Sequence, residues 1–490
     1  MSKTPVLLLA EVLPELLSAA VVEEASLVLV DAGAEVTPGP VEKPLERSPP
    51  HASVRARTVS GSRGTALILA HFGAGSQPGT VMGPVGGARD ARMLGRMLHR
   101  TAGVLVLALV ACGEDARECL TPAVLSSGKL SGALVWQEAF HATESDFGLT
   151  IAVDPCDGRV AVGGRVEPHV INGTSDIWIG ALSHAGEPLW DWRIHELFSE
   201  AAGAVAFDGD GSLLVAGASE LGPYIGSDID AGWLARFDAR GAESWRAHLE
   251  KTEEERDVSY QFAGVAVAPD GRIFVAGARK VLYGFDALAA AYDPAGELLW
   301  TAIRDEYPSS SSLSAVSVLP GGEVLLAGVY GAPVTGESSL LLRRFSADGD
   351  LLDERIVAGA WRLGRGGAFT PTSLVLFDRE RLVEMAFDGQ VLREAALTDE
   401  PNDLALGRDG DVYLVGSRGV GGTELVPSVT RLDSDLKPVW EYVHDRPGWA
   451  IAVTVGPSGD AFVTGLVEAP PIGDVAGFPN HDIWIARFAR

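Results

Sequence analysis

The sequence predicts an all-β chain, a seven-bladed β-propeller of four-stranded antiparallel blades. Three observations predict it. Glycine pairs recur at a fixed offset of six: Gly158/Gly164, Gly211/Gly217, Gly271/Gly277, Gly322/Gly328, Gly410/Gly416 and Gly459/Gly465. A second hairpin follows each pair, most with tryptophan, as in GWLARFDARGAESW at 232–245 and ALAAAYDPAGELLW at 287–300. A quarter of the same unit, GALVWQEAF at 132–140, precedes the first whole copy.

Each element follows from local chemistry. In AGAVAFDGDGSLLVAGAS (202–219) and AGVAVAPDGRIFVAGARK (263–280), an apolar strand reaches a two-residue turn ending in Gly, and a second strand follows. Glycine suits such a turn because it accepts positive φ without a Cβ clash, and alternating apolar residues suit the flanking strands. Third strands centre near Trp178, Trp233, Ala290, Leu342, Glu384, Thr430 and Trp484. Fourth strands pass through Trp190, Trp245, Trp300, Leu352, Leu392 and Trp440, one fewer than the third strands. Gly132 and Trp136 share the four-residue spacing of Gly186 and Trp190, which assigns the missing strand to 132–140. The last blade is then closed by this N-terminal strand, which leaves no sheet edge open. Between Gly322 and Gly410 lie 88 residues, so a degenerate blade is expected around 361–397, with Ser373–Leu397 supplying three strands and Trp361–Phe369 a poorly marked innermost one. A six-bladed ring with a long insertion is the alternative.

The first 112 residues have a different character. Arg89, Arg92, Arg96 and Arg100 precede the apolar run 102–110, which ends in Ala111-Cys112-Gly113. The run is too short to span a bilayer, which takes about 20 helical residues, and reads as an export signal. Leu109-Val110-Ala111-Cys112 resembles the lipobox of bacterial lipoproteins. That resemblance implies diacylglyceryl and palmitate-type acylation of Cys112 and cleavage before it; several acyl chains give stable anchoring. The expected organisation is 1–92 as an over-extended gene start, disordered or marginal; 93–111 as the signal peptide; 112–130 as lipidated Cys and flexible tether; and 131–490 as propeller. A small helical domain built on Val6–Val22 is the competing reading of the first segment. With Gly113 in place of Asp at the second mature position, the bacterial cell envelope, and its outer membrane in particular, is the expected location.

The repeat itself resembles the bacterial SBBP β-propeller repeat across about 130–490, most closely in DIWIGALSHAGEPLW from Asp176 and HDIWIARF from His481. A weaker likeness, through FDARGAESW and YDPAGELLW, is to the tryptophan-docking repeats of quinone-dependent dehydrogenases and outer-membrane assembly lipoproteins. The SBBP resemblance implies an exported protein and no common activity.

Net charge is -27 overall, with 29 Lys and Arg against 57 Asp and Glu after residue 111. That excess disfavours nucleic acid and anionic lipid as partners. No cofactor, metal or catalytic residue is expected. Asp208, Asp210, Asp348 and Asp350 read as turn residues, since no run supplies the six to eight oxygens that calcium takes. His141, His195, His248 and His444 read as solvated loop residues on separate blades. Once Cys112 is acylated, Cys119 and Cys156 remain as a possible disulfide between tether and first blade. The function read from these features is a monomeric, membrane-anchored lipoprotein whose propeller is a binding or scaffolding platform for a protein or polysaccharide partner. Recognition is expected on the loops 167–175, 220–231, 331–338 and 468–481. The alternative is a polysaccharide hydrolase or lyase with carboxylates converging at the channel mouth.

Overall fold

The computed structural model describes three strands within 54–106 and then residues 119–490, apart from short segments, the longest being 221–230, 250–257 and 470–479. The chain divides into two compact units, Met1–Glu114 and Asp115–Arg490. In the first, Val54–Gly61 pairs antiparallel with Thr65–Phe72, which also pairs with Leu105–Val106. Two of these strands lie in the segment expected to be disordered or marginal. The third lies in the apolar run expected to be an export signal. Val6–Val22 and Cys112 fall outside the described residues.

The second unit is an all-β propeller of four-stranded antiparallel repeats, but its strands form five hydrogen-bonded sheets, one of twelve strands and four of four. The expectation of seven separate blades is thereby corrected to five. The difference has a local cause. Single-residue parallel bridges, His481 to Ser145 and Ser175 to Ser199, join three consecutive four-stranded runs into the twelve-stranded sheet.

Closure at the chain ends is visible in the pairing. Leu134–Phe140 lies antiparallel to His481–Phe488, with Trp136 opposite Arg487 and Phe140 opposite Ile483. The region between the glycines at 322 and 410 includes a sheet of its own, Ala368–Phe369, Ser373–Phe377, Arg381–Ala386 and Val391–Ala396. Its innermost strand has only two residues, and buried Trp361 packs beside it in the same apolar cluster as Leu374 and Val383.

The six-residue glycine offset has two separate causes. The first glycine closes a three-residue loop, not the two-residue turn expected, as at 209–211: the N–H of Gly211 bonds the Asp208 carbonyl at 2.9 Å, and the N–H of Asp208 bonds the Ser212 carbonyl at 2.9 Å. Gly211 is left-handed, with φ 85°, which makes this a type I turn closed by a bulge. The second glycine answers a bulge in the innermost strand, where register shifts between Phe262 and Gly264. A Cβ on Gly277 would overlap the Gln261 carbonyl pushed outward by that bulge.

Outer-strand tryptophans join one repeat to the next. Trp136 covers Gly186, Trp190 covers Gly241, Trp245 covers Gly296, Trp300 covers Gly349 and Trp440 covers Gly132. A Cβ on any of these glycines would lie 2.6–2.8 Å from the ring. The indole N–H groups of Trp136, Trp245 and Trp300 donate to His184, Pro294 and Ala347 of the same turns, at 3.1–3.2 Å. Two turns depart from the rule: Gly389 keeps its glycine but meets no indole, only Val357 at 3.8 Å. In the second, Leu436 holds φ 59° where the others have glycine, and the outer strand before it carries Arg393 in place of Trp. Without an indole to admit, the side chain is tolerated and is buried with Leu404 and Leu432, while Arg393 donates to the Ser434 carbonyl.

Candidate functional site

Because strands alternate in direction, turns joining first to second and third to fourth strands fall at one end of every sheet. Connections from second to third strands, and onward to the next sheet, fall at the other. The molecule therefore has a turn face and a loop face, with the innermost strands around a central channel. Ser145–Val153 stands beside Ser199–Phe207, which stands beside Ser259–Val267, and Pro401–Leu406 stands beside Gly448–Val455.

The channel holds a cavity of about 260 Å³ lined by Thr150, Ala152, Ala204, Ala206, Gly264, Val316, Asp403, Ala452 and Thr454, among others. Its wall is largely of small and apolar side chains. The carboxylate within it, Asp403, is buried and accepts the Val453 N–H at 2.8 Å. It thus ties two neighbouring innermost strands together.

The turn face is a network of arginines and carboxylates. Arg236 reaches Asp208 at 2.8 Å, Asp210 at 2.7 Å and the Pro294 carbonyl at 3.1 Å. Arg272 reaches the Ala347 carbonyl at 3.1 Å and Asp348 at 3.3 Å. These acidic residues are occupied by arginine and by turn N–H groups. Asp238 shows the principle: the N–H groups of Ala242 and Arg240 bond its Oδ1 at 2.9 and 2.8 Å and hold the carboxyl below its usual range.

The segment after residue 118 lies on this turn face. Cys119 and Cys156 form a disulfide, and the N–H of Leu120 bonds the Cys156 carbonyl at 2.8 Å. A four-residue helix, Pro122–Leu125, follows, and Leu125 is 2% exposed against Gly158. Its carbonyl accepts Arg487, whose guanidinium also bonds the His184 carbonyl at 2.6 Å and Asp460 at 2.7 Å. Of the expected flexible tether, 112–130, residues 119–125 are docked on the turn face, while 126–130 are largely exposed.

The last turn is split between the chain ends. The N–H of Gly132 bonds the Ala489 carbonyl at 2.9 Å, and the N–H of Ala489 bonds Ala133 at 2.9 Å. The covalent turn at Ser183–Gly186 makes the same pair, Gly186 to Ser183 at 2.9 Å and Ser183 to Glu187 at 2.8 Å. Non-covalent association thus reproduces a hairpin turn.

The histidines do not converge. His141 pairs with Asp482 at 2.8 Å, and His248 is exposed. His444 is not a solvated loop residue: it is buried edge-on against Trp484, 5.2 Å between centroids, and burial lowers its pKa. His195 falls outside the described residues, as do most of the expected recognition loops. Sequence reasoning missed the loop-face group of Phe147, Trp449 and His481, where His481 lies 6.0 Å from each of the other rings. Comparing the copies one residue before the bulge would have found it: Phe147 and Trp449 stand where the other repeats have Ala201, Gln261 and Ser312.

No known family model matches the chain. Regulatory protein FlaEY of Caulobacter vibrioides is 27% identical over 198 residues, which are 34% of this chain and 21% of that protein. Among solved structures, the Pan2 WD40 domain of Neurospora crassa aligns at TM-score 0.42 and 10% identity over 71% of this chain and 97% of its own. The PL25 polysaccharide lyase, an ulvan lyase, aligns at 0.45 and 10% over 71% and 95%. Quinohemoprotein alcohol dehydrogenase of Comamonas testosteroni aligns at 0.38 and 11% over 75% and 77%.

Proposed function

We propose that this chain is an exported bacterial lipoprotein of the SBBP-repeat type, anchored through acylated Cys112 in the outer membrane, whose propeller is a binding platform. The observation that carries the platform reading is the docking of 119–125 on the turn face, pinned by Cys119–Cys156 and by Leu125. Cys119 lies seven positions after Cys112, a span of at most about 25 Å when extended. An anchor there holds the turn face toward the membrane and presents the loop face to a partner. The channel supports the same reading, since its side chains are mostly small and its Asp403 is committed to a backbone N–H. A polar, open cluster of carboxylates would have favoured catalysis.

Metabolic labelling with an alkyne fatty acid tests the anchor. Wild-type protein is expected to carry label and sediment with outer membrane, and Cys112→Ser to carry none and be released. Label-free wild-type protein would overturn it.

A further inference from the structure

We infer that the loop-face row formed by Trp449, His481, Phe147 and Arg165 is a binding site for a neutral, hydroxyl-rich glycan chain. The inference rests on the platform reading and names its ligand class. Of the eleven tryptophans, Trp449 is the one classed as exposed, at 37%, while the others are packed within or between repeats. Its ring belongs to a row that runs across the seam where the two chain ends meet. Trp449 leads to His481, His481 to Phe147, each at 6.0 Å, and the Arg165 guanidinium lies 4.5 Å from the Phe147 ring centre. Four planar groups from four strands thus follow one another, the ring pairs tilted by 51° and 36°. The repeat does not require them, because equivalent copies manage with Ala201, Gln261 and Ser312 beside their bulges.

The charges beside the row lean negative, with Arg165 the row's one fixed cation against Glu167, Asp482 and Glu468, so a ligand's hydroxyls meet more acceptors than donors. Arg165 pairs with Glu167 at 3.3 Å, and His141 pairs with Asp482 at 2.8 Å. His481 is hydrogen-bonded to Ser145 at 3.3 Å, and exposed Glu468 lies nearby. A polyanion meets the surplus negative charge of this molecule and is repelled. A polycation must compete with Arg165 for Glu167. A neutral sugar needs neither: its C–H faces stack on the rings, and its hydroxyls find both donors and acceptors in the ion pairs. Planar aromatic groups in sequence suit a chain of rings better than one isolated sugar.

The test uses the purified full chain and Trp fluorescence, with cellohexaose, mannohexaose and xylohexaose as neutral probes, hexagalacturonate as polyanion and hexalysine as polycation. At least one neutral probe is expected to shift the emission saturably, with affinity reduced tenfold or more in Trp449→Ala and less in Phe147→Ala. Because Trp449→Ala removes the reporter, its affinity is read by calorimetry, and its melting point is expected to match wild type. Silence with all neutral probes, equal binding by Trp449→Ala, or preference for hexalysine would overturn the inference. Fatty-acid labelling of Cys112 is a separate readout, so failure of the glycan site and failure of the anchor are told apart.

Discussion

The two faces of the propeller use their residues in opposite ways. On the turn face, Arg236, Arg272 and Arg487 each reach the carbonyl of a neighbouring turn, and tryptophans cover glycines from one repeat to the next. On the loop face, equivalent positions diverge, and Phe147 and Trp449 replace residues as small as Ala201. The lesson is that contacts between repeats concentrate on one face and restrain its sequence, which releases the other face to vary. Substitutions that cost stability should therefore cluster at the turns.

The comparison breaks most severely if the closing strand is removed. Deleting 132–140 exposes the edge of His481–Phe488 and unseats Trp136 from Gly186; loss of cooperative unfolding, or of more than about 5 kcal/mol, is expected in a thermal melt. Arg487→Ala comes next. Arg487 and Asp460 are 4% and 3% exposed, so removing one strands the other, at a cost of about 3–5 kcal/mol in chemical denaturation. Cys156→Ser should cost about 2–4 kcal/mol by the same measurement and free residues 119–125 to proteolysis. Gly277→Ala drives a methyl into the Gln261 carbonyl and should cost about 2–3 kcal/mol. On the loop side, Gly419→Ala meets no atom within 4 Å and should stay within about 0.5 kcal/mol.

Acid sharpens the contrast at the smallest scale. Backbone N–H groups of the turns hold Asp238 and Asp433 below the ordinary carboxylate range. A depressed folded-state pKa contributes stability that is complete above the unfolded value, about 4, and is lost as pH falls through the folded one. Asp238→Asn should therefore lower the melting temperature slightly at neutral pH and flatten its decline below about pH 4, the two proteins converging in acid.

Much of the fold was legible because its signals are local. Gly271 and Gly277 mark a hairpin wherever they recur, and the Gly132–Trp136 spacing was enough to assign 132–140 to the far end of the chain. The sheet count was not legible. It depends on single parallel bridges at Ser145 and Ser175, which leave no periodicity. The purpose of the glycines was also hidden, since the second answers a bulge on another strand and five of the third-to-fourth turn glycines, Gly132, Gly186, Gly241, Gly296 and Gly349, answer a tryptophan from another repeat. The candidate site escaped for a similar reason. His481, Phe147 and Trp449 are far apart in sequence and gather only where the chain ends meet.

Amide hydrogen exchange on the full chain, before and after reduction, tests the central claim most directly: that the chain ends complete a turn and that the tether is stapled to that face. Protection of 134–140 is predicted in both states, because its partner is the strand at 481–488. The Leu120 amide, bonded to Cys156 across the disulfide, is predicted to be protected before reduction and to exchange faster after it. Rapid exchange throughout 134–140 in the oxidised protein, or no change at Leu120 on reduction, would contradict the account.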